Sequence, residues 1–195
     1  CAGTACTICD RDYQIPALGT MAHSWIQSFD TEEDAFRAYA KAYPANCTFL
    51  VDTYNTLKSG IPNAIKIFNE EIVPLGFRPK GIRIDSGDIT YLSKKARKML
   101  DDAGFPDCKI CASNSLDEYI IRDMFLQGAK VDIFGVGERL ITAKSDPVFG
   151  AVYKLAAVEN EDGSITPKIK LSENTVKITK KKKKKIYRLY SNESA

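Results

Sequence analysis

The sequence predicts an α/β protein built on a parallel sheet. Four short β-prone runs carry that expectation: Thr48-Phe49-Leu50-Val51, Gly81-Ile82-Arg83-Ile84, Lys109-Ile110-Cys111-Ala112 and Val131-Asp132-Ile133-Phe134. Their ends fall at residues 52, 85, 113 and 135, which are 33, 28 and 22 residues apart. That spacing leaves room for a helix between consecutive strands, the connection a parallel pair requires. The runs are rich in Ile and Val, as strands covered on both faces tend to be.

The elements between the strands can be read in order. Pro16-Ala17-Leu18-Gly19-Thr20 is a short strand or turn leading to Met21-Ala22-His23-Ser24-Trp25. Thr31 to Tyr43 reads as a helix, with acids in its first turn and Pro44 just past its end. Ile61 to Val73 has Ile61, Ala64, Ile65, Phe68 and Ile72 at three- and four-residue steps, the apolar stripe of a helix. Gly76 and Pro79 punctuate it. A further helix is expected from Ile89 to Ala103, closed by Gly104. Another is expected from Leu116 to near Gly128, with Ser115 and Glu118 placed as a capping box. Ala151 to Val158 is a later β-prone run.

Composition excludes several classes. The chain has 195 residues, 27% charged and 44% hydrophobic, an ordinary globular balance. No apolar run approaches the roughly 20 residues of a membrane helix, and no signal-peptide layout opens the chain. Cys1 stands where an initiator Met would, which predicts a piece of a longer chain. The net charge of +3 depends on Lys180 to Lys185; without that run 22 basic residues face 25 acidic ones. A basic nucleic-acid surface is therefore not expected, and the lysine run should be solvated. The single histidine, His23, excludes every two-histidine metal motif within the chain. Cys6-Thr7-Ile8-Cys9 and Cys108-Lys109-Ile110-Cys111 have C-x-x-C spacing, but about a hundred residues separate them. Free thiols in a reducing cytoplasm fit better than a four-thiolate zinc site.

Two layouts suit the strand spacing, a doubly wound sheet and a strand–helix barrel; both place ligands at the C-terminal strand ends. Polar residues gather there: Asp52, Asp85 with Asp88, Ser113 with Asn114, and Gly135 with Gly137. One such residue is ordinary turn chemistry, but four in register point to a site. Paired aspartates suit a divalent cation held through substrate phosphates. Gly135-Val136-Gly137 lets backbone N–H groups approach a phosphate, and the start of the Ser115 helix is a second anion site. Arg83 and Asp85 share one strand face, as a structural ion pair or as a ligand-binding guanidinium. His23 follows Gly19-Thr20 in a small, polar setting that suits a reactive imidazole or a structural one.

Gly19-Thr20-Met21-Ala22-His23-Ser24-Trp25, Val51-Asp52-Thr53-Tyr54, Gly81 to Asp88 and Gly135-Val136-Gly137 occur in an order and spacing that resembles nicotinate phosphoribosyltransferases. Tyr153-Lys154-Leu155 and Lys170-Leu171-Ser172-Glu173-Asn174 are also similar to that family. The resemblance covers nearly the whole chain up to about residue 178. It implies a type II phosphoribosyltransferase fold, an irregular strand–helix (TIM-like) barrel that would be incomplete here. It implies transfer of phosphoribose from phosphoribosyl pyrophosphate to nicotinate, coupled to ATP hydrolysis. His23 matches the histidine that ATP phosphorylates; Thr20 and Arg83 match the nicotinate contacts. Asp52 and Asp85 would sit near the ribose and the Mg²⁺–pyrophosphate, with Mg²⁺ held mainly through the substrate near Asp85. Asp88, Ser113, Asn114, Gly135, Gly137 and Glu138 complete the implied substrate-binding set. A homodimer is implied for the full-length protein.

The chain departs from the family pattern in three places. Glu138 stands where some relatives have Thr, so only its backbone N–H suits a phosphate, and its carboxylate is free to pair with Arg139. Ala5-Cys6 replaces polar Ser-Asn beside the expected base site. The family is much longer, and the run from Thr179 through Ile186 replaces an expected Pro-Gly turn. The expected division is a partial barrel over residues 1–160 and a segment leaving it over 161–195, with the lysine run at 180–185. The alternative is a catalytically incomplete product that acts only as a phosphate-binding or subunit-interaction module.

Overall fold

The computed structural model of the chain describes residues 2–148, 150, 155–168 and 187. Two compact units are present, Cys1–Pro147 and Val148–Ala195. The first carries four parallel strands, β1 (Thr48–Leu50), β2 (Gly81–Ile84), β3 (Lys109–Ser113) and β4 (Ile133–Gly135), which lie side by side in chain order. Its helices are α1 (Thr7–Tyr13), α2 (His23–Gln27), α3 (Glu32–Ala42), α4 (Ile61–Ile67), α5 (Ile89–Asp102), α6 (Glu118–Leu126) and α7 (Glu138–Ile141).

In a parallel sheet, residues paired in register point to the same face. Phe49, Ile82 and Ile110 form one row, Ile84 and Ala112 another, and all five are buried. The cover over this face is aromatic: the Phe36 ring of α3 stacks on Phe49 at 4.4 Å between centroids, and Phe49 stacks on Phe68 at 4.9 Å. Phe105 meets Phe68 edge-on at 5.7 Å. Burial of such rings is the main stabilising term of the unit. The opposite face carries Leu50, Arg83, Cys111 and Ile133 in register. Leu50 is buried, Arg83 and Cys111 are half-buried, and Ile133 is exposed.

The helix ends follow from side-chain caps. Thr31 accepts the Asp34 N–H at 3.1 Å and starts α3, with Glu32, Glu33 and Asp34 in its first turn. Asp88 accepts the Tyr91 N–H at 2.9 Å and starts α5; Gly104, at φ 82°, follows its end. The helix expected to open at Ser115 does not. Asn114 and Ser115 adopt φ 85° and 50°, outside the helical region, and Asp117 caps α6 by accepting the Ile120 N–H at 2.8 Å. The Ser115–Glu118 capping box and the anion site at residue 115 are thus replaced by an aspartate cap two residues on. The fourth strand also starts later than expected, at Ile133; just before it, Asp132 donates its N–H to the Ile110 carbonyl at 2.9 Å and accepts the Ile110 N–H on its carboxylate at 2.8 Å.

The helix expected over 61–73 begins earlier. Asn55 caps it by accepting the Lys58 N–H at 2.9 Å, and wide π-helical turns at Thr56–Gly60 and Phe68–Ile72 flank α4. Each wide turn precedes a proline, Pro62 and Pro74. A proline clashes with the carbonyl four residues back, and residues 58 and 70 lie inside the widened turns. Gly60 crosses the end of β1 so closely that a Cβ there would lie 1.8 Å from the Val51 carbonyl oxygen. Its φ is an ordinary −55°, so the requirement is space, not backbone conformation. Gly60→Ala should therefore destabilise the fold by about 3 kcal/mol or more, checked by urea unfolding.

Trp25 lies on α2, its indole N–H donating to the Ala35 carbonyl of α3 at 3.3 Å and its ring 5.0 Å from Phe29. In the second unit, β5 (Ala157–Glu159) pairs antiparallel with β6 (Ile165–Pro167) around Gly163 at φ 78°. The expected strand over 151–158 is described only from residue 155 and forms at Ala157. Tyr153-Lys154, Lys170 to Asn174 and Lys180 to Lys185 lie outside the described residues.

Candidate active site

The C-terminal ends of β1, β2 and β3 converge on one hydrogen-bonded cluster. Arg83, near the end of β2, is its hub. Its Nε donates to Ser113 Oγ at 2.8 Å, Nη1 to Thr20 Oγ1 at 3.1 Å and Nη2 to Asp85 Oδ1 at 2.8 Å. Ser113, buried at the end of β3, donates its hydroxyl proton to the same Asp85 oxygen. A guanidinium has five N–H donors, so three are committed here and two are left for a ligand. Burial pushes the Asp85 carboxyl up, but the hydrogen bonds from Ser113 and Arg83 outweigh it and hold the group below the usual carboxylate range.

His23, the first residue of α2, is placed between two partners. Its Nδ1 is 3.0 Å from Thr53 Oγ1 and its Nε2 is 3.6 Å from Asp85 Oδ2. Asp85 thus turns one oxygen to Arg83 and Ser113 and the other to the imidazole. Asp52, two residues past β1, holds the start of the Asp85 loop. Its Oδ2 accepts the Asp85 N–H at 2.9 Å and the Ser86 hydroxyl at 2.6 Å. Its Oδ1 is buried, and among the described residues it has no hydrogen-bond partner. A buried lone pair without a donor is costly, which makes this oxygen an open acceptor at the site.

Six of the sequence-predicted residues, Thr20, His23, Asp52, Arg83, Asp85 and Ser113, are therefore joined through side-chain and backbone contacts. The ion pair expected between Arg83 and Asp85 is formed, and it leaves guanidinium donors to spare. Gly135 is paired in register with Ser113, and a Cβ at 135 would lie 3.3 Å from the Ser113 Cβ. Asp88 is exposed and caps α5 with its carboxylate. Asn114 is an exposed loop residue whose Oδ1 accepts the Ser115 hydroxyl at 3.2 Å. Gly137 precedes α7, and Glu138 opens it with an exposed side chain. The expected Glu138–Arg139 pair is not formed; the Arg139 guanidinium is drawn to the half-buried Asp117 instead.

Three contributors escape the sequence pattern. Thr53 and Ser86 directly follow strand-end aspartates, and their adjacency is the signal that marks them. Asp117 has only its cap position as a signal. It ties the start of α6 to α7, beside a cavity of about 250 Å³ lined by Asp117, Glu118, Tyr119, Arg139, Lys144 and Ser145. The Ile120 N–H, and after it the Arg139 pair, hold the Asp117 carboxyl below its usual range. Asparagine caps a helix as well as aspartate does, so Asp117→Asn should lose only the ion pair and Asp117→Ala the cap too. Thermal unfolding should rank them wild type, Asn, Ala, with about 1 kcal/mol between the two variants.

Among the described residues no group of three or more His, Cys, Asp or Glu side chains is placed to hold a metal ion by itself. No helix among them is long and apolar enough to cross a membrane. No protein-family model matches the chain. It is 51% identical over 179 residues to nicotinate phosphoribosyltransferase of Bacillus subtilis, covering 92% of this chain and 36% of that protein. It is 42% identical over 160 residues to nicotinate phosphoribosyltransferase pncB2 of Mycobacterium tuberculosis, covering 81% and 33%. The crystal structure of human nicotinic acid phosphoribosyltransferase shares its fold at a TM-score of 0.64 and 23% identity, over 69% of this chain and 37% of that one. The chain spans about a third of the length of these curated relatives. With half its residues identical to one such enzyme across nearly its whole length, the chain belongs, as a segment, to the nicotinate phosphoribosyltransferase family.

Proposed function

We propose that the chain is the part of a nicotinate phosphoribosyltransferase that binds the base and couples its transfer to ATP. The enzyme would join nicotinate to phosphoribosyl pyrophosphate, giving nicotinate mononucleotide and pyrophosphate in NAD salvage. The observation that carries this reading is the shared use of Asp85. One oxygen steadies Arg83, the group suited to a carboxylate ligand, and the other faces His23, the group suited to phosphorylation.

In this reading the two remaining N–H donors of Arg83 take the nicotinate carboxylate, and the guanidinium plane lies available for the pyridine ring. Thr20 orients the guanidinium from the other side. Asp85 and Asp52 stabilise positive charge that develops at the anomeric carbon as pyrophosphate departs. Backbone N–H groups at Gly135, Gly137 and Glu138, with Ser113, Asn114 and Asp88 at the rim, serve the phosphoribosyl end. ATP supplies a phosphoryl group to His23, whose ring is held by Thr53 before the transfer. Asp85 and Asp52, whose Oδ1 has no partner among the described residues, would hold Mg²⁺ together with substrate phosphates. When bound it would neutralise the leaving pyrophosphate.

We extend the proposal to architecture. The division expected at residues 160 and 161 falls in the second unit, much of which lies outside the described residues. The four-stranded sheet and helices of the first unit would form part of an irregular strand–helix barrel of the type II kind. The half-open sheet face with Leu50, Arg83, Cys111 and Ile133 in register supports this, because a barrel interior needs such a face. The full-length protein would be a cytoplasmic homodimer.

The test is phosphate transfer from γ-labelled ATP to this chain and to its full-length form, each beside His23→Ala. Acid-labile, base-stable label that disappears in the variant is the expected result. Label in neither form would overturn the energy-coupling reading.

A further inference from the structure

Cys6 and Cys9 differ from every other described thiol in the molecule. Cys47 and Cys108 are buried beneath the sheet, and burial pushes both thiols up to about 12. Cys111 is half-buried on the sheet face that carries Arg83, and burial raises it as well. Such thiols are poor nucleophiles. Cys6 is exposed, and Cys9 is half-buried one turn away.

The two are held as neighbours by the backbone. Cys6 is the residue before α1, with φ −90° and ψ 101°, and its carbonyl accepts the Cys9 N–H at 3.0 Å. Residues three apart on such a turn have Cβ atoms about 5–6 Å apart. A disulfide needs about 3.5–4.5 Å, so closure asks for a shift of an ångström or two. Cys6 has the freedom for it, because it lies outside the helix. The neighbouring Cys6 thiol holds the Cys9 thiol above its ordinary value. The surrounding loop is stitched to the segment before Thr20: Thr4 N–H donates to the Pro16 carbonyl at 2.9 Å, Leu18 N–H to the Thr4 carbonyl at 2.8 Å, and Ala17 N–H to Asp10 Oδ2 at 3.1 Å. The segments on either side are therefore anchored, and the movement that closure needs falls on Cys6 itself.

We propose that Cys6 and Cys9 are a redox-active dithiol that closes reversibly to an intramolecular disulfide by exchange with a small-molecule disulfide. The exposed Cys6 loses its proton and attacks one sulfur of the reagent, releasing the first thiol and leaving a mixed disulfide. Cys9 then loses its proton and attacks the Cys6 sulfur, releasing the second thiol. Two electrons pass from the protein to the reagent, whose S–S bond breaks as the Cys6–Cys9 bond forms. The slight strain of a one-turn bridge makes it readily reducible by a thiol pool. This site does not rest on the enzymatic reading above.

The experiment equilibrates the full chain with mixtures of oxidised and reduced glutathione, traps free thiols with an alkylating agent and weighs the peptide carrying residues 6 and 9. The expected product lacks two hydrogens and carries no alkyl group, and it reverts with reduced glutathione. Cys9→Ser should stop at the glutathione adduct of Cys6. A Cys1→Ser chain should behave as the wild type. Separate alkylation of Cys6 and Cys9 under buffers that oxidise a simple dithiol, or a bridge from either to Cys1 or Cys111, would overturn the proposal.

Discussion

Arg83→Ala should reduce nicotinate binding by roughly 30- to 150-fold, about 2–3 kcal/mol, and phosphoribosyl pyrophosphate binding far less. The asymmetry follows from geometry. Three of the guanidinium donors are used on Ser113, Thr20 and Asp85, so the remaining two are aimed by the protein and not by the ligand. A ligand carboxylate meets a fork already ordered, and the amide analogue lacks the charge to use it. Arg83→Lys is the informative companion, because it keeps the charge and loses the fork. It should recover little of the binding. Equilibrium binding of each substrate to the full-length protein separates the effects. Equal loss of both would return Arg83 to a structural partner of Asp85.

Asp85→Asn should lower turnover by about two orders of magnitude with a modest change in KM, if the carboxylate stabilises charge that develops only in the transition state. The substitution keeps the shape, and the amide oxygen can still accept from Arg83. It removes the negative charge facing His23 at 3.6 Å, so phosphorylation of the imidazole should fall as well. Stability has its own signature. The folded state holds Asp85 below its ordinary value, so its contribution is complete above about pH 4 and is lost as acid titrates the folded group. The Asn variant should lack that part of the acid dependence. Unchanged turnover, with only the acid limb altered, would leave Asp85 a purely structural carboxylate.

The parallel sheet could be read from the sequence because its strands are short, apolar and regularly spaced. The cluster at their ends was legible for the same reason: residues that follow β1, β2 and β3 must meet once the strands lie in register. Arg83 and Asp85 were placed on one face by strand alternation alone. What escaped was decided by local competition that pattern does not encode. Ser115 and Asp117 are both good caps, and the choice fell to Asp117 because Asn114 and Ser115 turn through positive φ. The early start at Thr56 was hidden because Gly60 and Pro62 resemble a loop, whereas the wide turn before Pro62 lets the helix pass through both. Thr53 was missed because a hydroxyl's partner lies across the fold, thirty residues from His23.

Trp25 offers a direct readout of this region. It is the chain's single tryptophan, on the same short helix as His23 and bonded through its indole to the neighbouring helix. With 37% of its surface open to water, its emission should respond to small changes in hydration. This chain thus carries a native fluorophore two residues from His23, with no competing indole within the chain. A shift of α2 on ligand binding or phosphoryl transfer should be followed in real time by the wavelength and quenching of one residue.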